Sequence, residues 1–298
     1  MKSLSLIILT YNSQKDIYDC LKSVYDYNDI GEELEIIVVD NNSPCFAEMK
    51  TKIQSEYPNV ITIANKQNGG YGQGNNVGIR AAHAPVIAIM NPDVRLIMPV
   101  FKSMLQTLSK KDVVMCGGKQ YNNYNKPALS YFYDHNAYAI LQSIAYLFLS
   151  KLDIYDYRKM WLSGAFFAIK KDIFIQIGLF DERIFMYGEE FDMHTRLRRM
   201  FPRLKVVYLP QIKYIHLISD RRTTLDSAYK TYKSDVFVCT LLGISPQQCI
   251  RRKKRSLHIM HIVNIILCAL RRVSMDGRYY KFSMQALRQL ESEYSRHI

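Results

Sequence analysis

Three groups of residues in this 298-residue chain have the types and spacing to do chemistry. The first is Asn91-Pro92-Asp93, which interrupts the apolar run "VIAIM". Proline lacks the amide hydrogen needed to continue a central strand, so Asp93 is expected just past a strand's carboxyl end. In open α/β sheets that rim binds ligands; an Asn-Pro-Asp turn that merely ends the strand is the alternative. The second group is Glu189, Glu190 and Asp192, three carboxylates within four residues at an expected helix start. The positive end of a helix stabilises such carboxylates; the chemical reading is that one is held as a general base against a hydroxyl. The third is the polar ends of two early apolar runs, Thr10-Tyr11-Asn12 and Asp40-Asn41-Asn42-Ser43. Asp40 could accept a hydrogen bond from a ring N–H of a pyrimidine beside the face of Tyr11, or these residues serve as turns and caps. Residues 65–79, "NKQNGGYGQGNNVGI", add five glycines, whose amides can approach a phosphate closely, although the spacing is not that of a dinucleotide fingerprint.

These residues need a scaffold, and the apolar patterning supplies one. "LSLIIL", "LEIIVVD", "VITIA" and "VIAIM" read as strands, alternating with amphipathic segments such as "SQKDIYDCLKSVYDY" and "AEMKTKIQSEY". Near-continuous Ile/Val strands between such helices imply a mostly parallel, nucleotide-binding type of sheet flanked by helices. "MPVFKSMLQTLSK" then reads as helix and "DVVMCGG" as strand, while "YNNYNKPALSYFYDHN" looks like a loop or flap. In the second half "WLSGAFFAIKK" suggests a strand, "DIFIQIGLFD" a helix and turn, "GEEFDMHTRLRRM" a helix, and "VVYLPQIKYIH" a strand that delivers His216.

Length and composition, 298 residues at 48% hydrophobic, accommodate one sizeable α/β core with an appendage. The six cysteines show no CxxC spacing, which argues against a zinc site or a disulfide framework and suits a reducing cytoplasm. The apolar start of "MKSLSLIILTYNS" is too short for a signal-peptide core, and no run reaches the roughly 18 residues of a membrane span. Net charge is +13, and residues 251–298 hold 11 Lys/Arg against 3 Asp/Glu, or +8 of it. There "RRKKR" (251–255) precedes an apolar helical segment with His258, His261, Asn264, Cys268 and Arg271 on a narrow polar stripe. Such a helix suits an interface beside anionic lipid headgroups; a helix that closes the protein's own core behind a solvated basic loop is the alternative. The basic residues are blocked rather than interleaved with aromatics, which weighs against nucleic acid as a partner.

Taken in order, Tyr11, "DNNS", "NGGYGQGNNVGI", "NPDV", "WLSGAFFAIKK" and "GLFDERIFMYGEEFDMHTRL" followed by "YLP" and His216 resemble family 2 glycosyltransferases of the GT-A fold, in particular rhamnosyltransferases of O-antigen and cell-wall glycan assembly. The resemblance spans residues 3–220 and implies a GT-A domain over 1–220 with a helical, basic region over 221–298. It implies a nucleotide-sugar pocket drawn from Thr10, Tyr11, Asp40, Asn42, Gly70, Asn76, Asn91, Trp161 and Gly164, with Tyr11 and Asp40 on the base and Asn76 near the diphosphate. Asp93 would be the ligand of Mg²⁺ or Mn²⁺, assisted by His216, and Glu190 the base with Asp192 orienting it. The family commonly has Glu-Asp where this chain has Glu189-Glu190, so the base is one methylene longer. The implied reaction is inverting transfer from a nucleotide-sugar donor, dTDP-L-rhamnose or a UDP-hexose, to a glycan or polyprenyl-linked glycan acceptor. It would proceed in the cytoplasm at the inner face of the membrane. A non-catalytic sugar-nucleotide scaffold would also explain Glu190. A nucleotidyltransferase would need a basic glycine loop that "LTYNSQKD" lacks.

Overall fold

The computed structural model describes residues 1–133, 152–217, 224–271 and 277–295. The runs Leu4–Thr10 (β1) and Leu34–Asp40 (β2) are buried at nearly every position, as strands covered on both faces must be. Between them Ile17–Asp26 forms α1, which buries Ile17, Cys20, Leu21 and Val24 at spacings of three and four. The alternation continues through α2 (Phe46–Glu56), β3 (Ile61–Ala64), α3 (Gly70–Ala81) and β4 (Val86–Met90). Then come β5 (Val94–Leu96), α4 (Phe101–Leu108), β6 (Val113–Tyr121), β7 (Tyr131–Tyr133), β8 (Met160–Leu162), β9 (Phe166–Lys170), α5 (Lys171–Gln176), α6 (Glu189–Met200) and β10 (Lys205–His216). Eight strands form one sheet in the order β3-β2-β1-β4-β9-β6-β10-β5, while β7 and β8 form a separate pair. The pairs β3/β2, β2/β1, β1/β4 and β6/β10 are parallel, whereas β9 runs antiparallel to both its neighbours and β5 antiparallel to β10.

Three local readings change. The apolar run does end at Met90, but the chain resumes at once as β5 on the opposite edge of the sheet, so the Asn91–Asp93 turn is a crossing between strands. "WLSGAFFAIKK" is two strands, β8 and β9, broken at Ser163–Ala165. The glycine-rich stretch is mostly helix. Cβ atoms built at Gly74 and Gly78 would fall 2.4 Å from Leu9 and 2.5 Å from Ile7, so these glycines let α3 pack tightly on β1 rather than meet a phosphate. Of the tyrosine- and asparagine-rich stretch 121–136 expected as a loop, residues 122–126 form a turn in which Asn122 N donates to Lys126 O at 2.9 Å, residues 131–133 are strand β7, and residues 134–136 lie outside the described residues.

The described residues fall into two compact units. The first, within 1–134, 153–185 and 189–219, contains the sheet and its helices. The second takes residues 186–188 and three helices: α7 (Leu225–Leu241), α8 (Pro246–Arg271) and α9 (Arg278–Ser295). Its core joins Ala228, Val236 and Cys239 of α7, Ile250 and Leu257 of α8, and Leu287 and Leu290 of α9. The run 251–255 is therefore part of a helix and not a loop before one. Lys253 and Lys254 turn inward to Asp235 and Glu291, each at 2.5 Å, while Arg251, Arg252 and Arg255 are exposed. Further along α8, His261 stacks on Tyr280 at 3.8 Å, and Ile262, Ile265 and Ile266 are exposed. Packing has thus covered part of the polar stripe and left apolar residues outward. No described helix is long and apolar enough to cross a membrane.

Candidate active site

The parallel strands β1, β2 and β4 end at one rim, with Thr10 beside Asp40 in register. Asp40 is fully buried there. Its carboxylate accepts from Thr10 Oγ1 at 2.9 Å, Ser43 N at 2.6 Å and Ser43 Oγ at 2.7 Å. Ser43 Oγ in turn accepts from Asn12 N at 2.8 Å, which clasps the two strand ends together. Asp40, expected on the base, and Thr10, expected in the same pocket, thus have their side-chain oxygens engaged with protein and buried at this rim. What the clasp presents outward is Tyr11, 50% exposed, and Asn42, also exposed. Asn12 and Asn42 adopt left-handed backbone at φ 54° and 66°, conformations asparagine tolerates better than most residues.

A second centre forms where β8 breaks from β9. Ala165 O accepts from Asn91 N at 2.9 Å, which anchors the Asn91–Asp93 turn, and Arg95 Nη1 caps the same turn on Pro92 O at 2.8 Å. One residue earlier, Gly164 N–H donates to the Glu190 carboxylate, which also accepts from the Glu190 amide. Gly164 O accepts from Tyr71 Oη at 2.8 Å. The link Ser163–Ala165 thus ties the Asp93 turn, Tyr71 and Glu190 to neighbouring peptide groups. Glycine at 164 leaves room for the carboxylate in this position, because an added Cβ would lie 2.0 Å from Glu190 Oε1 and displace it. Burial raises the Glu190 carboxyl above the ordinary glutamate range, with the two amide hydrogen bonds opposing it, and burial likewise pushes the Tyr71 phenol well up.

Asp93 Oδ1 is buried without a hydrogen bond and stands 3.1 Å from His216 Nε2, which β10 delivers opposite β5. A carboxylate oxygen and an imidazole nitrogen so placed fit two positions in a divalent cation's shell. Among the described residues no group of three or more His, Cys, Asp or Glu side chains could hold a metal, so the remaining positions would fall to diphosphate oxygens and water.

Other expected site residues sit elsewhere in the architecture. Asp192 is buried and faces Arg196, which donates from Nε at 2.9 Å and Nη2 at 2.6 Å and also reaches Ile177 O. This ion pair makes it part of the α5–α6 packing. Asn76, expected near the diphosphate, is also engaged with protein. Its amide donates to Phe180 O at 2.9 Å and Glu182 Oε1 at 3.0 Å and accepts from Phe180 N at 3.1 Å, so it fastens residues 180–182 to α3. Gly70, at φ 88°, has its close neighbour in Phe185 O, 2.0 Å from where a Cβ would stand, and its carbonyl accepts from Asn41. Trp161 stacks on Phe132 at 4.5 Å, and its indole nitrogen is buried without a hydrogen bond. Glu189 is buried, 2% exposed. Sequence reasoning missed Tyr71, Arg95 and His194. Of these only His194 carried a signal, standing one helical turn after Glu190.

The mostly parallel sheet flanked by helices, with these carboxylates at its rim, is the architecture of a transferase of the GT-A fold. The profile of Glycosyl transferase family 2 matches residues 5–178, and the chain belongs to that family. The low-salt glycan biosynthesis hexosyltransferase Agl10 of Haloferax volcanii is 24% identical over 243 residues, 78% of this chain and 73% of that protein. Glycosyltransferase GlyG of Streptococcus pneumoniae is 22% identical over 254 residues, 81% and 82% of the two chains. Mannosyltransferase PcManGT from Pyrobaculum calidifontis, solved in complex with GDP-Man and Mn²⁺, matches 98% of this chain and 82% of its own at a TM-score of 0.62 and 13% identity, a likeness of fold.

Proposed function

We propose that this glycosyltransferase is inverting and metal-dependent, and that it moves L-rhamnose from dTDP-L-rhamnose to a glycan or polyprenyl-linked glycan in cell-surface polysaccharide assembly. The observation that carries the mechanism is the Ser163–Ala165 link, which holds a desolvated glutamate and the Asp93 turn through Gly164 N–H and Ala165 O, on either side of the peptide bonded to Tyr71. Burial makes Glu190 a stronger base than a surface glutamate, suited to take the proton of an acceptor hydroxyl as it attacks the anomeric carbon. Tyr11 supplies a face for the nucleobase at the clasp formed by Asp40, Thr10 and Ser43. Asp93 and His216 would hold Mg²⁺ or Mn²⁺, which when bound neutralises charge developing on the leaving diphosphate. PcManGT, crystallised with Mn²⁺, supports a metal of this kind. The rhamnosyl choice rests on the sequence resemblance; a UDP-hexose is the competing donor.

The acceptor places the enzyme at the cytoplasmic membrane face, and α8 supports that placement. Arg251, Arg255, Ile262, Ile265 and Ile266 recur at helical spacing on one exposed face, cations first and isoleucines after. The proposed division of labour assigns 1–220 to transfer and 221–298 to the anionic surface.

Glu190→Gln keeps the size and hydrogen bonding of the side chain and removes its basicity. Turnover is expected to fall by about 10² or more while donor binding, read by thermal shift with dTDP-L-rhamnose and Mn²⁺, is retained. Undiminished turnover in Glu190→Gln together with its loss in Glu189→Gln overturns the base assignment. Stabilisation by UDP-hexoses but not by dTDP-L-rhamnose overturns the donor.

A further inference from the structure

His194 is 1% exposed on α6, one turn beyond Glu190. A buried imidazole is unfavourable unless its two nitrogens find partners. Here the partners are both main-chain groups. Leu162 N–H points at Nε2 at 3.3 Å, and Nδ1 lies 2.8 Å from Glu190 O. An amide can only donate and a carbonyl can only accept, so Nε2 carries the lone pair and Nδ1 the hydrogen. Burial pushes the imidazole down to about 3, in keeping with a ring that stays neutral and keeps this tautomer.

The identity of the two partners gives the bridge its meaning. Glu190 O belongs to the residue read above as the base. Leu162 lies two residues before Gly164, whose N–H holds that residue's carboxylate. Segment 162–164 therefore grips Glu190 twice: through His194 at its main chain and through Gly164 at its carboxyl group. Tyr71 fixes the same segment from α3 by its bond to Gly164 O. An apolar residue at 194 would fill the volume but would leave the Leu162 amide buried without this acceptor. Its two hydrogen bonds both run between the base and the strand end that seats it.

We infer that His194 is a positioning residue for the transfer reaction, acting through Glu190 by locking the first turn of α6 to the end of β8. This rests on Glu190 being the base. Asn can place an amide nitrogen where Nδ1 stands, and Gln an amide oxygen where Nε2 stands, so each restores half of the bridge. Phe restores neither.

The test is a double-mutant cycle. Turnover and donor KM are measured well below the melting midpoint for His194→Asn, His194→Gln and His194→Phe, each alone and combined with Glu190→Gln. Misplacing a reacting group by an ångström lowers rates by up to about 10²-fold, so His194→Phe should reduce kcat by between about 10- and 10²-fold. Asn and Gln should give smaller losses, and donor KM should stay near its original value. In the Glu190→Gln background the same substitutions should leave kcat unchanged, because a side chain that is no longer a base gains nothing from being held. Equal fold-losses in both backgrounds would show that His194 acts on the fold at large and would overturn the inference. So would a loss expressed in KM alone. Full turnover in Glu190→Gln by itself overturns the base assignment, and this inference with it. That outcome is distinct from an impaired Glu190→Gln with additive His194 effects, which overturns only the positioning role.

Discussion

Replacing Arg251 and Arg255 by Gln should separate membrane binding from folding in the C-terminal helices. Both arginines are exposed on the face of α8 that continues into Ile262, Ile265 and Ile266, whereas Lys253 and Lys254 between them are paired with Asp235 and Glu291. A cation near an anionic leaflet contributes about 1 kcal/mol, so the two arginines together contribute about 2 kcal/mol. At 1.4 kcal/mol per decade, that is roughly a 30-fold loss of affinity. Cosedimentation with phosphatidylglycerol vesicles at low salt reads this directly, and added salt should release the wild-type protein because exposed charges are screened. Lys253→Gln with Lys254→Gln removes as much formal charge yet should leave vesicle affinity nearly unchanged. It should instead lower the melting temperature, because Asp235, 14% exposed, is left facing an uncharged partner. Ile262→Ser with Ile265→Ser should weaken binding at every salt concentration, since apolar insertion is not screened. Equal cosedimentation of the wild type and the arginine variant, or equal losses from the arginine and lysine variants, would refute the reasoning and leave the exposed isoleucines to be covered by protein.

Asp93→Ala should abolish transfer with no more than a small shift in melting temperature, because Asp93 lies at the strand crossing beside His216 and outside the apolar core; excess EDTA should mimic it on the wild-type enzyme, and undiminished activity in EDTA would remove the metal from the mechanism. His194 also gives a pH dependence of stability. The unfolded chain binds a proton near pH 6.5 that the folded chain refuses until about pH 3, so stability should be lost as pH falls across that window. The slope is about 1.4 kcal/mol per pH unit from this residue, and thermal melts of His194→Gln should show a correspondingly shallower acid decline.

Much of the sheet was legible because its strands are buried on both faces and so read as unbroken Ile/Val runs between amphipathic helices. The antiparallel insertion of β9 between β4 and β6 was not legible, since the direction of a short apolar strand leaves no trace in its composition. At the candidate site, the placement of Asp93 past a strand end and of Glu190 at a helix start was legible, because an ionisable residue beside a proline break or before a helical pattern is conspicuous. The protein partners of Asp40, Asn76 and Asp192 were not, because a polar residue that faces a ligand and one that fastens a loop have the same side chain. Only their partners distinguish them: Ser43, the Phe180 backbone and Arg196. The basic run misled in the same way, since sequence counts charges but does not show which are already neutralised by a neighbouring helix.

The contact between Gly164 and Glu190 couples the two positions. The longer carboxylate occupies the place where a methyl group at 164 would stand, with Oε1, Cδ and Cγ 2.0, 2.8 and 2.9 Å from it. A side chain at 164 enters only if the glutamate swings aside, which would forfeit the carboxylate's hydrogen bond from the Gly164 amide. Shortening residue 190 to aspartate withdraws the carboxylate by one methylene and should lessen that cost, so in an alignment of relatives the freedom of position 164 should track which acid stands at 190.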